Sequence, residues 1–281
     1  MRGVRKLAPY RPVIIRVTLL YYLAFLLWRG YSHVLPYELL HPTLTKMHYD
    51  LSFWLFKLTG LDVLLVQNNA GALIFSGSVI ALCLLSILFP KKRVFIVPFT
   101  LLYFLLAVAS NIYLCHSAHY LGCMVWLPIA FWAAKDENFD LLWEGMRYYA
   151  CWIYASAFLW KVVNGAFFQW DAGILTFKMN LAEYLYHNPD TVMAHIYYYL
   201  LPHPFIFNLG HKIVTLAEGV FLIGFFTKKY DAALIIWAFF IFISIYCFSD
   251  VFFAELLVLI IPLMPERTWQ RIYSSIPILG K

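Results

Sequence analysis

Long apolar runs limit what this sequence can fold into more than any motif does. The first is "VIIRVTLLYYLAFLLW", which begins at Val13, and further runs follow along the whole chain. An α-helix needs roughly 17 to 25 mostly apolar residues to cross a bilayer. We therefore predict an all-α fold, a polytopic transmembrane helical bundle of about eight spans. The predicted spans are residues 12–28, 70–89, 94–112, 116–134, 143–163, 209–226, 231–248 and 251–264.

The composition supports this class of fold. Of the residues, 63% are hydrophobic and only 13% are charged, whereas a soluble domain has roughly 25% charged residues. The 20 Tyr and 10 Trp suit two aromatic belts at the membrane surfaces. The five cysteines form no Cys-x-x-Cys pair, so they predict neither a disulfide framework nor a zinc site.

The basic residues predict the orientation of the bundle. The net charge is +6, but Lys and Arg are scattered beside apolar runs rather than gathered in one stripe, which excludes nucleic acid as a partner. With both termini inside, four basic residues fall in outer segments: Arg29, Lys46, Lys57 and Lys178. Thirteen fall in inner segments: Arg2, Arg5, Lys6, Arg11, Lys91, Lys92, Arg93, Lys135, Lys228, Lys229, Arg267, Arg271 and Lys281. Cytoplasmic loops carry the excess of Lys and Arg, so both termini are expected on the inner side.

Two outer segments are too long to be simple turns. Residues 29–69 contain Leu51, Trp54 and Leu58 at helical spacing, so this piece is expected to lie flat at the membrane surface. Residues 164–208 contain a second amphipathic stretch followed by an aromatic one. Loops of this length usually carry function or fold into caps. No internal repeat or linker interrupts residues 1–281, which are expected to form a single domain.

All nine histidines fall on the outer side in this topology. Short basic inner segments leave histidine few other places, and an outward-facing site would also gather them there. His116 and His119 are three residues apart, hence on one face if a helix begins at residue 116. Metal ligation, hydrogen bonding at the interface and a part in a site are all open for this pair. Two ligands without a third do not predict a metal site.

Lys161 stands near the outer end of the fifth predicted span. A lysine there can be an anchor, because its four-carbon stem lets the ammonium reach the head groups. A lysine held in an apolar pocket loses its proton more readily and can act as a base near neutral pH. The outer side is otherwise poor in Lys and Arg, which favours the second interpretation. Asn164 and Gly165 are expected to end the helix in a left-handed turn that lets a substrate approach.

Three further polar residues are candidates for the same site. Ionisable residues inside membrane spans are costly and are functional candidates by default. Glu218 lies near the middle of the sixth predicted span, seven residues after His211 and therefore on the same helix face. Asp250 lies at the start of the last predicted span. We expect these residues to lie at the level of Lys161.

Several segments together resemble a known family. They are "YASAFLWKVVNG" followed by "FFQW", "HVLPYELL" after the first span, "KKR" after the second, and "HYLGCMVWLPIAF". In order and character they resemble the HTTM (horizontally transferred transmembrane) family, the membrane domain shared with vitamin K-dependent gamma-glutamyl carboxylases. The resemblance covers most of the chain.

The resemblance implies a catalytic role for two residues. In the carboxylase, the lysine at the place of Lys161 is the base that deprotonates reduced vitamin K, and the histidine at the place of His119 supports that chemistry. A reduced quinone is the implied cofactor, bound in an outward-facing pocket with His116, Asn164, His211, Glu218 and Asp250 at its polar end. The carboxylase has two adjacent lysines where this sequence has Trp160 and Lys161.

The resemblance also implies a biological setting. The sequence has no counterpart of the carboxylase's large lumenal client-binding region, so a different acceptor is expected. Small bacterial members of the family include proteins that mature secreted toxins. The implied role is modification or maturation of a secreted peptide at the bacterial inner membrane, with the site on the outer side. The alternative is a non-enzymatic scaffold or partner subunit that docks through its outer amphipathic segments. The sequence shows no inverted repeat typical of a transporter.

Overall fold

A computed structural model describes residues 4–39, 51–113, 121–249 and 254–276. Within these ranges the secondary structure is helical and no strand occurs. The α-helices are α1 (Arg11–Tyr31), α2 (Leu51–Leu58), α3 (Asn69–Leu88), α4 (Arg93–Tyr113), α5 (Leu121–Val125), α6 (Asp136–Val163), α7 (Ala172–His187), α8 (Val192–Leu200), α9 (Pro204–Val220), α10 (Ile223–Phe226), α11 (Asp231–Ser249), α12 (Ala254–Leu257) and α13 (Glu266–Ser275). Shorter helical turns connect some of them. These are the 3-10 helices Ala8–Tyr10, Pro36–Glu38, Leu127–Trp132 and Val258–Leu263, and the π-helix Val63–Gln67.

Local sequence explains where several of these helices begin. Asn68 precedes α3, and its side-chain oxygen accepts a hydrogen bond from the Gly71 N–H at 2.9 Å. Thr191 caps α8 in the same way, with its hydroxyl oxygen 3.2 Å from the Ala194 nitrogen. These caps satisfy backbone donors that the first helical turn leaves free. The α9 helix begins at Pro204, where a missing N–H costs nothing.

Four helices in the described ranges are long and apolar enough to cross a membrane. They are Ala8–Glu38, Asn69–Leu88, Arg93–Ser110 and Pro204–Phe226, and they correspond to the first, second, third and sixth predicted spans. Their length and composition are those of a membrane protein. The expectation of a helical fold with helices long and apolar enough to span a membrane is therefore confirmed for the described residues.

The other four predicted spans are not among these four helices. The fifth lies within α6, and the seventh coincides with the shorter apolar helix Asp231–Cys247. The fourth and eighth include residues 116–120 and 251–253, which lie outside the described ranges. The described part of the eighth is α12 followed by a 3-10 helix, not one continuous α-helix. The count of eight spans and their orientation stay predictions.

The chain divides into two compact units. Residues 1–146 and 264–281 form the first, and residues 147–263 form the second, so that the boundary falls inside α6. In the first unit, Phe56 of α2 packs in a buried cluster with Val66, Ala109 and Ile112. In the second unit, a buried cluster joins α7, α8 and α9 through Phe177, Tyr197, Phe207 and their neighbours. A single family domain over the whole chain stays a prediction.

The α2 helix leaves an apolar face uncovered. Phe56 is buried, whereas Leu51, Trp54, Leu55 and Leu58 are all at least half exposed. The amphipathic helix predicted in this segment is therefore present. A contiguous exposed apolar face is typical of a helix that lies in a membrane surface or docks on another protein.

Candidate functional site

The centre of the candidate site is an ion pair between α6 and α9. The Lys161 Nζ atom lies 2.6 Å from each carboxylate oxygen of Glu218. The Glu218 side chain is only 5% exposed, while that of Lys161 is 27% exposed. Glu218 belongs to a helix apolar enough to span a membrane. A buried carboxylate needs a positive partner because it has left its hydration shell.

Close packing of the two helices brings this pair together. A Cβ atom at Gly219 would lie 3.1 to 3.2 Å from ring atoms of Phe158. The missing side chain at Gly219 therefore lets the Phe158 ring rest directly on α9. Lys161 lies three residues after Phe158, one helical turn further along α6, and so meets Glu218 beside that glycine.

The segment after α6 is held by a second lysine. Gly165 has φ +76°, the left-handed conformation that glycine adopts without strain, and α6 ends at Val163. The predicted left-handed helix end is therefore confirmed. The Lys212 ammonium donates to the carbonyl oxygens of Phe167 and, at 2.5 Å, of Gln169. These contacts tie the segment to α9.

His211 immediately precedes Lys212 in α9. Its Nδ1 atom is buried and accepts or donates no hydrogen bond within the described part of the chain. His211 and Glu218 lie two turns apart on the same face of α9. The cluster of Lys161, Glu218 and His211 therefore consists of one direct contact, the ion pair, and a histidine two turns away from Glu218 on α9. A site shared by all three residues stays a prediction.

The structure does not place the other predicted site residues in contact with this ion pair. Asn164 is exposed just beyond α6, where its backbone N–H donates to the Trp160 carbonyl oxygen at 3.0 Å. His116, His119 and Asp250 lie outside the described ranges. The pairing of His119 with Lys161 therefore stays a prediction.

Lys161 has a donor left for a ligand. A lysine ammonium has three N–H donors, and two of them can point at the two Glu218 oxygens. No third acceptor for Nζ occurs among the residues that the structure describes. The partial exposure of Lys161 leaves the remaining donor accessible. The arrangement can therefore offer one charge-assisted hydrogen bond to a ligand oxygen beside a carboxylate acceptor.

The surroundings of the pair are apolar and aromatic. Trp160, Val163, Phe168 and Trp170 all expose more than half of their surface at the end of α6 and in the segment that follows. Aromatic side chains of this kind supply large contact areas to apolar molecules. The cluster therefore combines a few polar groups with an apolar rim, the usual makeup of a small-molecule site.

Two supporting contacts were not predicted from the sequence. The Asn208 side-chain oxygen accepts a hydrogen bond from the Ile174 N–H at 2.9 Å, which fixes the start of α7 on α9. A Cβ at Gly173 would lie 2.3 Å from the Phe207 carbonyl oxygen. A buried Asn in an apolar helix is a signal for such a role. Its partner, 34 residues away, cannot be identified from the pattern alone.

Among the described residues, no group of three or more His, Cys, Asp and Glu side chains is placed to hold a metal ion. Comparisons of the chain with family models, with curated proteins and with solved structures find no match.

Proposed function

We propose that this chain is an integral membrane protein that binds an apolar molecule of the quinone or lipid class at the Lys161, His211 and Glu218 cluster. The observation that carries the proposal is the Lys161 to Glu218 ion pair, with both Nζ to oxygen distances at 2.6 Å. One member of the pair lies in a helix apolar enough to cross a membrane. Ionisable groups in such helices are expensive and usually serve function.

The polar groups fit the head of a quinone. A quinone carbonyl oxygen accepts a hydrogen bond, which the free donor of Lys161 supplies. A hydroquinone hydroxyl donates one, which Glu218 or His211 accepts. The exposed aromatic rim suits an apolar ring and tail. The donor set of this cluster therefore matches both redox forms of the head group.

The resemblance to the HTTM family supports a catalytic use of this binding. A reduced quinone would supply the electrons. In this use the Lys161 proton would first pass to Glu218, which leaves a neutral pair. The Lys161 amine would then take the hydroxyl proton of the bound head group, and the resulting ammonium would stabilise the phenolate. Asn164 is exposed just beyond the end of α6, and in this proposal it orients the substrate. The proposed process is maturation of a secreted peptide at the outer face of a bacterial inner membrane.

The test is to find the bound molecule. Wild-type protein is purified in mild detergent, extracted with organic solvent and analysed by mass spectrometry for quinones and lipids per mole of protein. We expect a retained molecule in the wild type and a loss of roughly tenfold or more in Lys161→Ala, which removes a charge-assisted hydrogen bond. Wild-type protein without a retained quinone or lipid would overturn the proposal.

The chain provides a matched control for this experiment. Lys57 forms an ion pair with Asp62 at 2.6 Å, and the two side chains are 29% and 5% exposed. These values nearly equal those of the Lys161 to Glu218 pair. Lys57→Ala therefore breaks a similar pair elsewhere in the chain and is expected to retain the molecule. Equal losses in both variants would show a general effect of destabilisation.

A second candidate function rests on the exposed apolar face of α2. Leu51, Trp54, Leu55 and Leu58 form this face. A scaffold or partner subunit would use the face to dock on another membrane protein. This function needs no chemistry at Lys161. The first proposal therefore predicts that Lys161→Ala impairs function, whereas the second predicts that it does not.

A further inference from the structure

The first unit contains a partly open cavity with a basic lining. Its volume is about 400 Å³, within the range of roughly 300 to 1,000 Å³ usual for small-molecule sites. The charged side chains on its wall are Arg11, Lys91, Arg93 and Asp136, and Tyr273 adds a phenol. Three cations against one carboxylate leave the lining with a net positive charge.

The cavity lies where several candidate membrane helices end. Arg11 is the first residue of α1, Arg93 is the first residue of α4, and Pro90 follows the end of α3 by two residues. All three helices are long and apolar enough to span a membrane. In a membrane that these helices cross, a cavity lined by their ends lies at the level of the lipid head groups.

One cation of the lining is fixed and two are available. The Arg11 guanidinium donates to the carbonyl oxygens of Ala133 at 2.7 Å and Phe131 at 3.2 Å, and lies over the Phe139 ring. The contact of Arg11 with Asp136 is long, at 3.4 Å, and Asp136 is 72% exposed. Lys91 and Arg93 are exposed, and neither pairs with an acidic side chain within the described ranges. Their charges are free to meet an anion.

We propose that this cavity binds the phosphate head group of an anionic phospholipid. Arg11 forms a fixed wall, and Lys91 and Arg93 contact the phosphate oxygens from the turn between α3 and α4. The guanidinium of Arg93 matches two phosphate oxygens at once, and the Lys91 ammonium adds a compact charge. The proposal rests on the membrane character of the helices. It is independent of the Lys161 site.

The test compares lipids retained by the whole protein. Protein is reconstituted in nanodiscs that contain phosphatidylglycerol and phosphatidylcholine, released into detergent and analysed by native mass spectrometry. We expect wild-type protein to retain phosphatidylglycerol selectively. Lys91→Ala with Arg93→Ala should lower that retention roughly 30-fold, because each basic residue near an anionic layer contributes separately. Circular dichroism confirms that the variant is folded.

Two controls decide between specific and general effects. Arg267→Ala with Arg271→Ala removes the same charge from exposed positions of α13 in the same unit, outside the cavity lining. This variant should retain phosphatidylglycerol. Inorganic phosphate at millimolar concentration should not displace the lipid. Equal retention of both lipids by wild type, equal losses in the two double variants, or displacement by inorganic phosphate would each overturn the proposal.

Discussion

Glu218 holds the Lys161 ammonium with both of its carboxylate oxygens, each 2.6 Å from Nζ. The two members differ in exposure, because Glu218 is 5% and Lys161 is 27% exposed. Loss of the lysine leaves a buried carboxylate without its partner. Loss of the carboxylate leaves a lysine that can turn towards solvent or head groups. Removal of Lys161 is therefore expected to cost more stability than removal of the Glu218 charge.

Lys161→Ala should destabilise the protein more than Glu218→Gln does. Breaking a fully buried pair costs about 3 to 5 kcal/mol, and the partial exposure of Lys161 lowers the expected loss to about 2 kcal/mol. The melting temperature in detergent, followed by tryptophan fluorescence, measures the difference. The double variant Lys161→Ala with Glu218→Gln should recover part of the loss. A larger effect of Glu218→Gln alone would contradict this asymmetry.

Asp231→Ala should be more destabilising than either of those substitutions. Asp231 accepts two hydrogen bonds from Arg147, at 2.6 and 2.8 Å, and both side chains are almost completely buried. Removing Asp231 leaves the guanidinium without this counter-ion in the interior, at a cost of about 3 to 5 kcal/mol. Chemical denaturation monitored by circular dichroism gives the value. Asp136→Ala, at a 72% exposed position, is the control and should change stability by less than about 0.5 kcal/mol.

Three glycine-to-alanine substitutions should change the stability of the protein by different amounts. Gly173→Ala should be the most damaging, since the new Cβ would lie 2.3 Å from the Phe207 carbonyl oxygen and the backbone would have to move. Gly219→Ala should cost less, because the Phe158 ring at 3.1 Å can shift slightly. At Gly210, in the same helix as Gly219, a Cβ meets nothing within 4 Å.

Gly210→Ala should therefore stabilise α9 by up to about 1 kcal/mol through helix propensity. Melting temperatures of the three variants, measured side by side, check the order. A Gly173→Ala protein as stable as the wild type would show that α7 and α9 are not in the close contact described above.

The exposed face of α2 should contact lipid in a membrane. A benzophenone amino acid at position 58, where Leu58 is 79% exposed, should cross-link to phospholipid in nanodiscs. The same amino acid at position 137, an exposed acidic residue in the first turn of α6, should not. Mass spectrometry of the products identifies the partner. A cross-link to a second protein in native membranes would favour the docking function instead.

The sequence predicted best those features that depend on neighbouring residues. The left-handed end of α6 at Gly165 and the one-sided apolar face of α2 follow from local patterns, and both are present. Hydropathy identified the apolar helices because membrane spans need long uninterrupted runs. His211 and Glu218 could be placed on one face because helical periodicity fixes their relation.

Contacts between distant parts of the chain could not be predicted from such local patterns. Lys161 was identified as a candidate, but its partner lies 57 residues away on another helix. The direct pairing depends on Gly219, whose missing side chain sets how closely α6 and α9 approach. Lys212 holds the backbone after α6, and no local pattern around it in the sequence indicates this role. Such roles depend on packing, which a single sequence does not encode in any local pattern.

Lys161 and Lys212 both connect the region around the end of α6 to α9, in opposite directions. Lys161 reaches from α6 to α9, and Lys212 reaches from α9 back to the backbone that follows α6. The connection is therefore redundant, because either lysine alone still joins α9 to the region around the end of α6. A loss of ligand in Lys161→Ala can therefore be separated from a loss of architecture, since Lys212 keeps the frame in place while the ammonium is gone.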